Sequence, residues 1–186
     1  KEDRVSLSII RLGTSGGLRS DISTGSFVLA ESAVGFDSLL HFYHGYDWIL
    51  NTPLADALAY YLEWPDILSY PYAVNANSEL IGLFQNEKFI RGITISAPGF
   101  YGPQGRQLRL ETFDSEINDK LSQFEFRGSV ICNYEMESSA LYGLSALLGH
   151  KALTVCTVIG NRITGEFIND YKPLIKELAI KVMKQF

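Results

Sequence analysis

Apolar and polar positions along this chain follow two periods. Residues 7–12, 24–31, 90–97, 129–132 and 151–159 form short runs that are either nearly continuous in Val, Ile and Leu or alternate at every second position, as Ile93 and Ile95 do with Thr94 and Ser96. Both patterns predict strands, the continuous ones covered on two faces. Between them the period lengthens. Residues 53–64 put Leu54, Leu58 and Leu62, with Tyr61, on one face of a helix that has Pro53 in its first turn. A short helix is expected over residues 77–85 with Ser78 as its cap, and another over residues 114–124. From about Ser138, Leu141, Leu144 and Leu148 recur at helical spacing with Ala140 and Leu147 beside them, and Gly149 is placed to end that helix, with His150 as a C-terminal cap. The last segment, residues 169–186, is amphipathic, with Tyr171, Leu174, Ile175, Leu178 and Val182 on one face. Residues 36–51 are aromatic-rich and irregular. Strands alternating with helices predict an α/β fold.

Composition narrows the class. At 186 residues and 46% hydrophobic, the chain can bury a sizeable core, and one domain over residues 1–186 is expected. A net charge of −5 and a pI near 5.2 argue against a nucleic-acid surface, which needs a basic stripe. Cys132 and Cys156 lie in apolar runs and read as buried, reduced thiols rather than a disulfide framework. No apolar run is long enough to span a membrane, and a cytoplasmic protein is the simple expectation. The opening Lys-Glu-Asp-Arg-Val-Ser-Leu leads almost at once into a strand that carries a site, so upstream sequence is expected to be missing.

Four segments at strand ends carry chemistry. Arg11 to Gly17 (Arg-Leu-Gly-Thr-Ser-Gly-Gly) reads as a loop whose amides can converge on an anion, or as a tight turn; it lacks the Gly-Lys-Ser/Thr ending of a Walker loop and the spacing of a dinucleotide fingerprint. Phe100 to Arg106 sets two aromatics, Gln104 and Arg106 in a Gly- and Pro-rich loop. Tyr134 to Glu137 falls where a strand gives way to a helix, the place where ligands gather in α/β folds. A carboxylate there also suits the helix dipole. Gly160-Asn161-Arg162 ends the last strand. His41 and His44 have ligand spacing but no third ligand to complete a metal site.

In order and content these segments resemble the nucleoside phosphorylase family that includes uridine phosphorylase and the hexameric purine nucleoside phosphorylases. Arg-Leu-Gly-Thr-Ser-Gly-Gly is similar to that family's phosphate loop, Tyr-Glu-Met-Glu-Ser to its ribose-binding signature, and Phe-Tyr-Gly-Pro-Gln-Gly-Arg to the base loop of the uridine branch. The likeness covers nearly the whole chain and implies a central mixed β-sheet flanked by helices. It also implies that this chain corresponds to the C-terminal two-thirds of such an enzyme, because family members are longer at the N-terminus. There they carry a further phosphate-binding Arg, and His and Arg residues lent to a neighbouring subunit. A homo-oligomer, hexameric by resemblance, follows.

The reaction implied by the resemblance is phosphorolysis, uridine plus phosphate giving uracil plus ribose 1-phosphate, with inorganic phosphate as co-substrate and no other cofactor or metal. Arg11, Gly13 and Thr14 would hold phosphate, an arginine offering a fork of donors to its oxygens; a surface ion pair is the plainer role for Arg11. Thr14, Met136 and Glu137 would hold the ribose, with the acceptor-only carboxylate suited to two adjacent hydroxyls and Met136 as an apolar wall or simply core filler. Glu135 would support Glu137. Phe100, Gln104, Arg106, Tyr134 and Arg162 would form the base site, and Arg11, Glu137 and Arg106 would carry the catalysis. Gly160 stands where uridine phosphorylases have a larger apolar residue, so room for a 5-substituted pyrimidine is expected there. Purine members place an Asp near this point, where this chain has Gly160-Asn161, which counts against a purine substrate.

Overall fold

A computed structural model describes residues 5–186. The first four residues, on which part of the expectation about the chain's start rests, lie outside them. Within that range seven strands form one mixed sheet, flanked by helices, in the order β1 (Ser8–Gly17), β7 (Lys151–Asn161), β2 (Phe27–Gly35), β4 (Ile90–Ser96), β6 (Ser129–Glu135), β5 (Glu125–Phe126). β3 (Tyr72–Asn75) adds to β2. The central pairings β1–β7, β2–β4 and β4–β6 are parallel. At its end β1 also meets β6, antiparallel, through Gly16 opposite Tyr134 and Gly17 opposite Asn133, so the sheet closes on itself.

The helices are α1 (Thr52–Tyr61), α2 (Ser78–Gly82), α3 (Ile117–Gln123), α4 (Ser138–Leu147) and α5 (Lys172–Met183). One apolar cluster joins Leu80 of α2, Tyr142 of α4 and Leu178 and Val182 of α5 to Leu29, Leu153 and Val155 of the sheet. A second joins Leu54 and Leu58 of α1 and Leu121 of α3 to Ile93, Ile95 and Ile131. Asn51 caps α1, its side chain accepting from the Leu54 amide at 3.3 Å. Among the described residues no helix is long and apolar enough to cross a membrane.

Four local expectations are corrected. The glycine run is strand, not loop: β1 continues through Gly13 to Gly17 with a bulge between Ser15 and Gly16. The cap of α2 is Asn77, whose side chain accepts from the Leu80 amide at 3.2 Å, and not Ser78. α4 buries its small and polar face, Ser138, Ser139, Tyr142, Gly143 and Ser145, while Leu148 is exposed. At Gly143 the reason is closeness to a neighbouring side chain: a Cβ there would lie 2.4 Å from Leu40 Cδ1, so no larger residue fits at that position. Leu141 and Leu144 of the leucine stripe are only partly buried, packed against the first apolar cluster. Finally, α4 closes without a side-chain cap from His150. Gly149, at φ 75°, donates to Ala146 O and the His150 amide donates to Ser145 O, a backbone-only ending. The His150 ring instead accepts from the Leu7 amide at 3.3 Å.

Tyr142 ties α4 to the sheet. Its hydroxyl donates to Ala30 O of β2 at 2.7 Å and accepts from Thr154 N of β7 at 2.8 Å, fully buried. Tyr142→Phe removes the partner of both backbone groups and is expected to lower the unfolding free energy by about 1–3 kcal/mol in urea titrations, with the far-UV spectrum unchanged.

Candidate active site

The site is built along β1, and its geometry follows from which residues there lack side chains. A Cβ on Gly13 would lie 2.9 Å from Arg11 Nη1, and one on Gly16 would lie 3.0 Å from Arg162 Cζ. Each glycine is the floor beneath a guanidinium. The two floors are three residues apart along a strand, roughly 10 Å before the bulge shortens it. Between them, Thr14, Ser15 and Gly16 line a cavity of about 180 Å³, together with Phe100, Gln104, Tyr134, Glu135, Met136, Glu137, Arg11 and Arg162.

At one end Arg11 is held by three acceptors. Its Nη1 lies 3.1 Å from Glu135 Oε2 and 3.4 Å from Cys156 Sγ, and its Nη2 pairs with Glu137. Burial works against the charge, and Cys156, Glu135 and Glu137 more than offset it, so the guanidinium pKa lies above its ordinary value. Glu135 is the anchor. Buried at the end of β6, it accepts from the amides of Glu137 (3.0 Å) and Ser138 (3.1 and 3.0 Å) and from the hydroxyl of Ser96. It thereby supplies the carboxylate that the N-terminus of α4 favours. Ser96 in turn accepts from the Ser139 amide at 2.9 Å.

At the other end Arg162 Nη2 donates to Gln104 Oε1 at 2.8 Å. Burial, then the nearby Arg106, holds the Arg162 pKa below the usual range. Arg162 Nε and the Tyr134 hydroxyl are buried with no hydrogen-bond partner among the described residues, and burial pushes the Tyr134 phenol up. Buried polar groups of this kind call for partners. Phe100 is half exposed and carries cations on its ring, Arg106 at 4.5 Å and Arg162 at 5.6 Å from the centroid.

The structure thus gathers Arg11, Thr14, Phe100, Gln104, Tyr134, Met136, Glu137 and Arg162 around one cavity. Gly13 does not line it, lying instead beneath Arg11. Arg106 also stands outside it, lining a neighbouring apolar groove of about 990 Å³ with Phe36, Trp64, Tyr101 and Leu108. That groove is the larger, but the convergent polar groups belong to the smaller cavity. Phe167 was missed by sequence reasoning. It pairs opposite Gly160 after a turn, and a Cβ on Gly160 would meet its ring at 3.1 Å. The space expected beside Gly160 is therefore taken by Phe167. An aromatic just past the turn glycine Gly165 was the available signal. The Asn161 side chain is fully engaged: its amide donates to Arg19 O and Ile22 O of the segment after β1, and its oxygen accepts from Ile163 N and Thr164 N of that turn. Among the described residues no cluster of three His, Cys, Asp or Glu could hold a metal ion.

The sequence matches the phosphorylase superfamily over residues 6–185, and the chain belongs to that family. It is 28% identical to a uridine phosphorylase of Thermococcus kodakarensis over 160 residues, 86% of this chain and 50% of the relative. It is 32% identical to uridine phosphorylase A of Schistosoma mansoni, over 86% of this chain and 49% of the relative. A DeoD-type purine nucleoside phosphorylase of Oceanobacillus iheyensis is 27% identical, over 85% and 54%. The chain spans about half the length of these curated relatives. Among solved structures, a Trypanosoma brucei nucleoside phosphorylase described as showing uridine phosphorylase activity superposes with a TM-score of 0.76 over 100% of this chain and 68% of that one, at 23% identity. At that identity the likeness concerns the fold. Isoform 2 of uridine phosphorylase from Schistosoma mansoni gives a TM-score of 0.61 at 25% identity, over 96% and 59%.

Two outcomes follow from the site's geometry. Gly16→Ala is expected to push Arg162 aside, because the obstructing atoms are the end of a flexible side chain, so a crystal structure of the variant should lack the Arg162–Gln104 contact; an unmoved Arg162 would mean that the glycine is not needed. Burial raises the pKa of Cys132 and Cys156 to about 12 each, which keeps both thiols neutral near pH 8. A thiol reagent at that pH should therefore give no fast phase with the native chain and should titrate both cysteines in denaturant.

Proposed function

We propose that the protein is a nucleoside phosphorylase that acts on a pyrimidine nucleoside, converting uridine and phosphate to uracil and ribose 1-phosphate. The observation that carries this reading is the pairing of Arg11 with Glu137 at one end of a cavity whose other end holds Arg162 with Gln104. Such an arrangement suits an anion, a diol and a polar heterocyclic edge in series.

In the reaction a phosphate oxygen bonds to C1′ while the C1′–N1 bond breaks, its electron pair passing to the base. Arg11, with the Thr14 hydroxyl, would orient phosphate beneath C1′, a proximity effect. Glu137 would accept from the ribose hydroxyls, and its charge favours the developing cationic sugar. Met136 would wall the ribose. Gln104 and Arg162 would bond the base carbonyls more strongly as these take up charge, which is where catalytic binding counts. Phe100 would stack on the base, with Arg106 behind the ring. The Tyr134 hydroxyl and Arg162 Nε, both lacking partners, are further groups for a polar ligand to satisfy.

Purine nucleoside phosphorylases are also among the relatives. Against a purine, Gly160 and Asn161 stand near the point where purine members carry an acid, and the Asn161 side chain is wholly spent on Arg19, Ile22, Ile163 and Thr164. The further phosphate donors that the family places upstream would come from sequence beyond this chain or from a second copy in a homo-oligomer.

Uridine incubated with and without phosphate, with nucleoside absorbance followed, tests the reading. Turnover is expected only with phosphate, reduced by a factor of about 100 or more in Glu137→Ala through loss of charge-assisted contacts in the transition state. Turnover of inosine in place of uridine would overturn the base assignment. Uridine binding without turnover would make the chain a binding relative or an inactive fragment.

A further inference from the structure

The two carboxylates that hold Arg11 differ in every property that decides whether a contact can be given up. The Glu135 side chain is 1% exposed, and its oxygens take donors from Arg11, Ser96, the Glu137 amide and the Ser138 amide. Withdrawing it would strand several buried donors at once. The Glu137 side chain is 57% exposed, and Arg11 Nη2 is its one donor among the described residues. An ion pair with one partner so exposed is cheap to separate. Arg11 Nη1 points inward to Glu135 and Cys156, and Nη2 is the arm shared with Glu137.

We propose that Glu135 is the fixed positioning residue of the site and that Glu137 is an exchangeable partner of Arg11: phosphate takes the place of Glu137 on Arg11 Nη2, and the carboxylate so released becomes free for the nucleoside hydroxyls. This rests on the phosphorylase reading and adds an order to it. A phosphate dianion brought to Arg11 beside two carboxylates would set three anionic groups around one guanidinium. Repulsion falls on the member that can move, which is Glu137. Glu135 keeps the guanidinium aimed throughout, because its hold on α4 and on Ser96 is untouched by the exchange. Neutral ribose hydroxyls can then enter, each donating one proton to Glu137 or phosphate while accepting others. In the unliganded chain the ribose carboxylate therefore guards the phosphate arm. Phosphate raises affinity for nucleoside, and by linkage nucleoside raises affinity for phosphate by the same factor.

Calorimetry on the full chain, with inorganic phosphate and then with uridine in the presence and absence of phosphate, tests this in the wild type, Glu137→Gln and Glu135→Gln. In the wild type phosphate should tighten uridine binding several-fold. Glu137→Gln should bind phosphate several-fold more tightly, because the competing charge is gone, and should show no coupling between the ligands. Glu135→Gln must present an amide NH₂ to one of its donors, which turns Arg11 away. It should weaken phosphate roughly tenfold, the scale of one charge-assisted hydrogen bond, and uridine alone by much less. A merely structural role for Glu135 would weaken both ligands alike, and that result would overturn its assignment. If Glu135→Gln does not fold, Ser96→Ala, which removes one donor from Glu135, should weaken phosphate selectively to a smaller degree. Unchanged or weaker phosphate binding in Glu137→Gln would sink the exchange and leave the phosphorylase reading standing. A wild type that binds uridine but no phosphate would end both.

Discussion

Two arginines can enter one small cavity because the strand beneath them has no side chains in their way. Gly13 and Gly16 of β1 are the floors for Arg11 and Arg162, and Gly16 and Gly17 are also the residues at which β1 meets β6 and closes the sheet. Any Cβ at these positions would collide with a guanidinium or with Val158 and Asn161. Glycine in a strand interior costs conformational entropy, and its usual justification is the close approach of something else. Here that something is charge. The same stretch of backbone brings Tyr134 and Asn133 of β6 alongside β1, and so delivers the start of α4, with Glu135 and Glu137, to the site.

Charge around Arg11 is arranged with unequal rigidity. A carboxylate buried against helix amides is a fixed feature of the fold, whereas a carboxylate in water is a side chain with alternatives. The helix start makes this difference, because its unpaired amides hold Glu135 and leave Glu137, two residues later, facing outward. Arg162 and Gln104 have no such permanent anchor, and the unpartnered Tyr134 hydroxyl and Arg162 Nε leave that end of the cavity short of partners. One end of the cavity is thus internally balanced and the other is in need of a ligand.

Much of this was legible in the sequence. The alternation of strands and helices gave the α/β class, and most long elements fall within a few residues of their expected places. The residues of the strand-to-helix switch, with Phe100 and Gln104 of the Gly- and Pro-rich loop, converge on one cavity as their positions at strand ends suggest, while Arg106 stands outside it. What was not legible has physical causes. A run such as Gly-Thr-Ser-Gly-Gly has the composition of a turn, and only its pairing with β7 makes it strand. Tyr72–Asn75 and the two-residue Glu125–Phe126 are too short to show a period. In α4 the leucines look like the buried face, but the helix buries Ser138, Ser139, Tyr142, Gly143 and Ser145 instead, and the close approach of Leu40 to Gly143 is a non-local contact. Phe167 reaches the site only through a turn clamped by Asn161, a non-local arrangement with no periodic signature.

The pairing of β1 with β7 also governs how the site comes into being. Ser8 lies opposite Lys151, and the other contacts of the pair are at least as remote in sequence. Parallel pairing over such a span forms slowly, since the loop must close before the contacts repay it. During synthesis β1 precedes its partner by more than a hundred residues. Its edge must wait unpaired, and the glycine floor exists only as flexible chain until then. A stretch poor in large apolar side chains is well suited to that interval, because it offers little to an intermolecular β-contact. The composition that makes room for two arginines in the native state thus also leaves residues 13–17 of the waiting strand a poor template for intermolecular pairing.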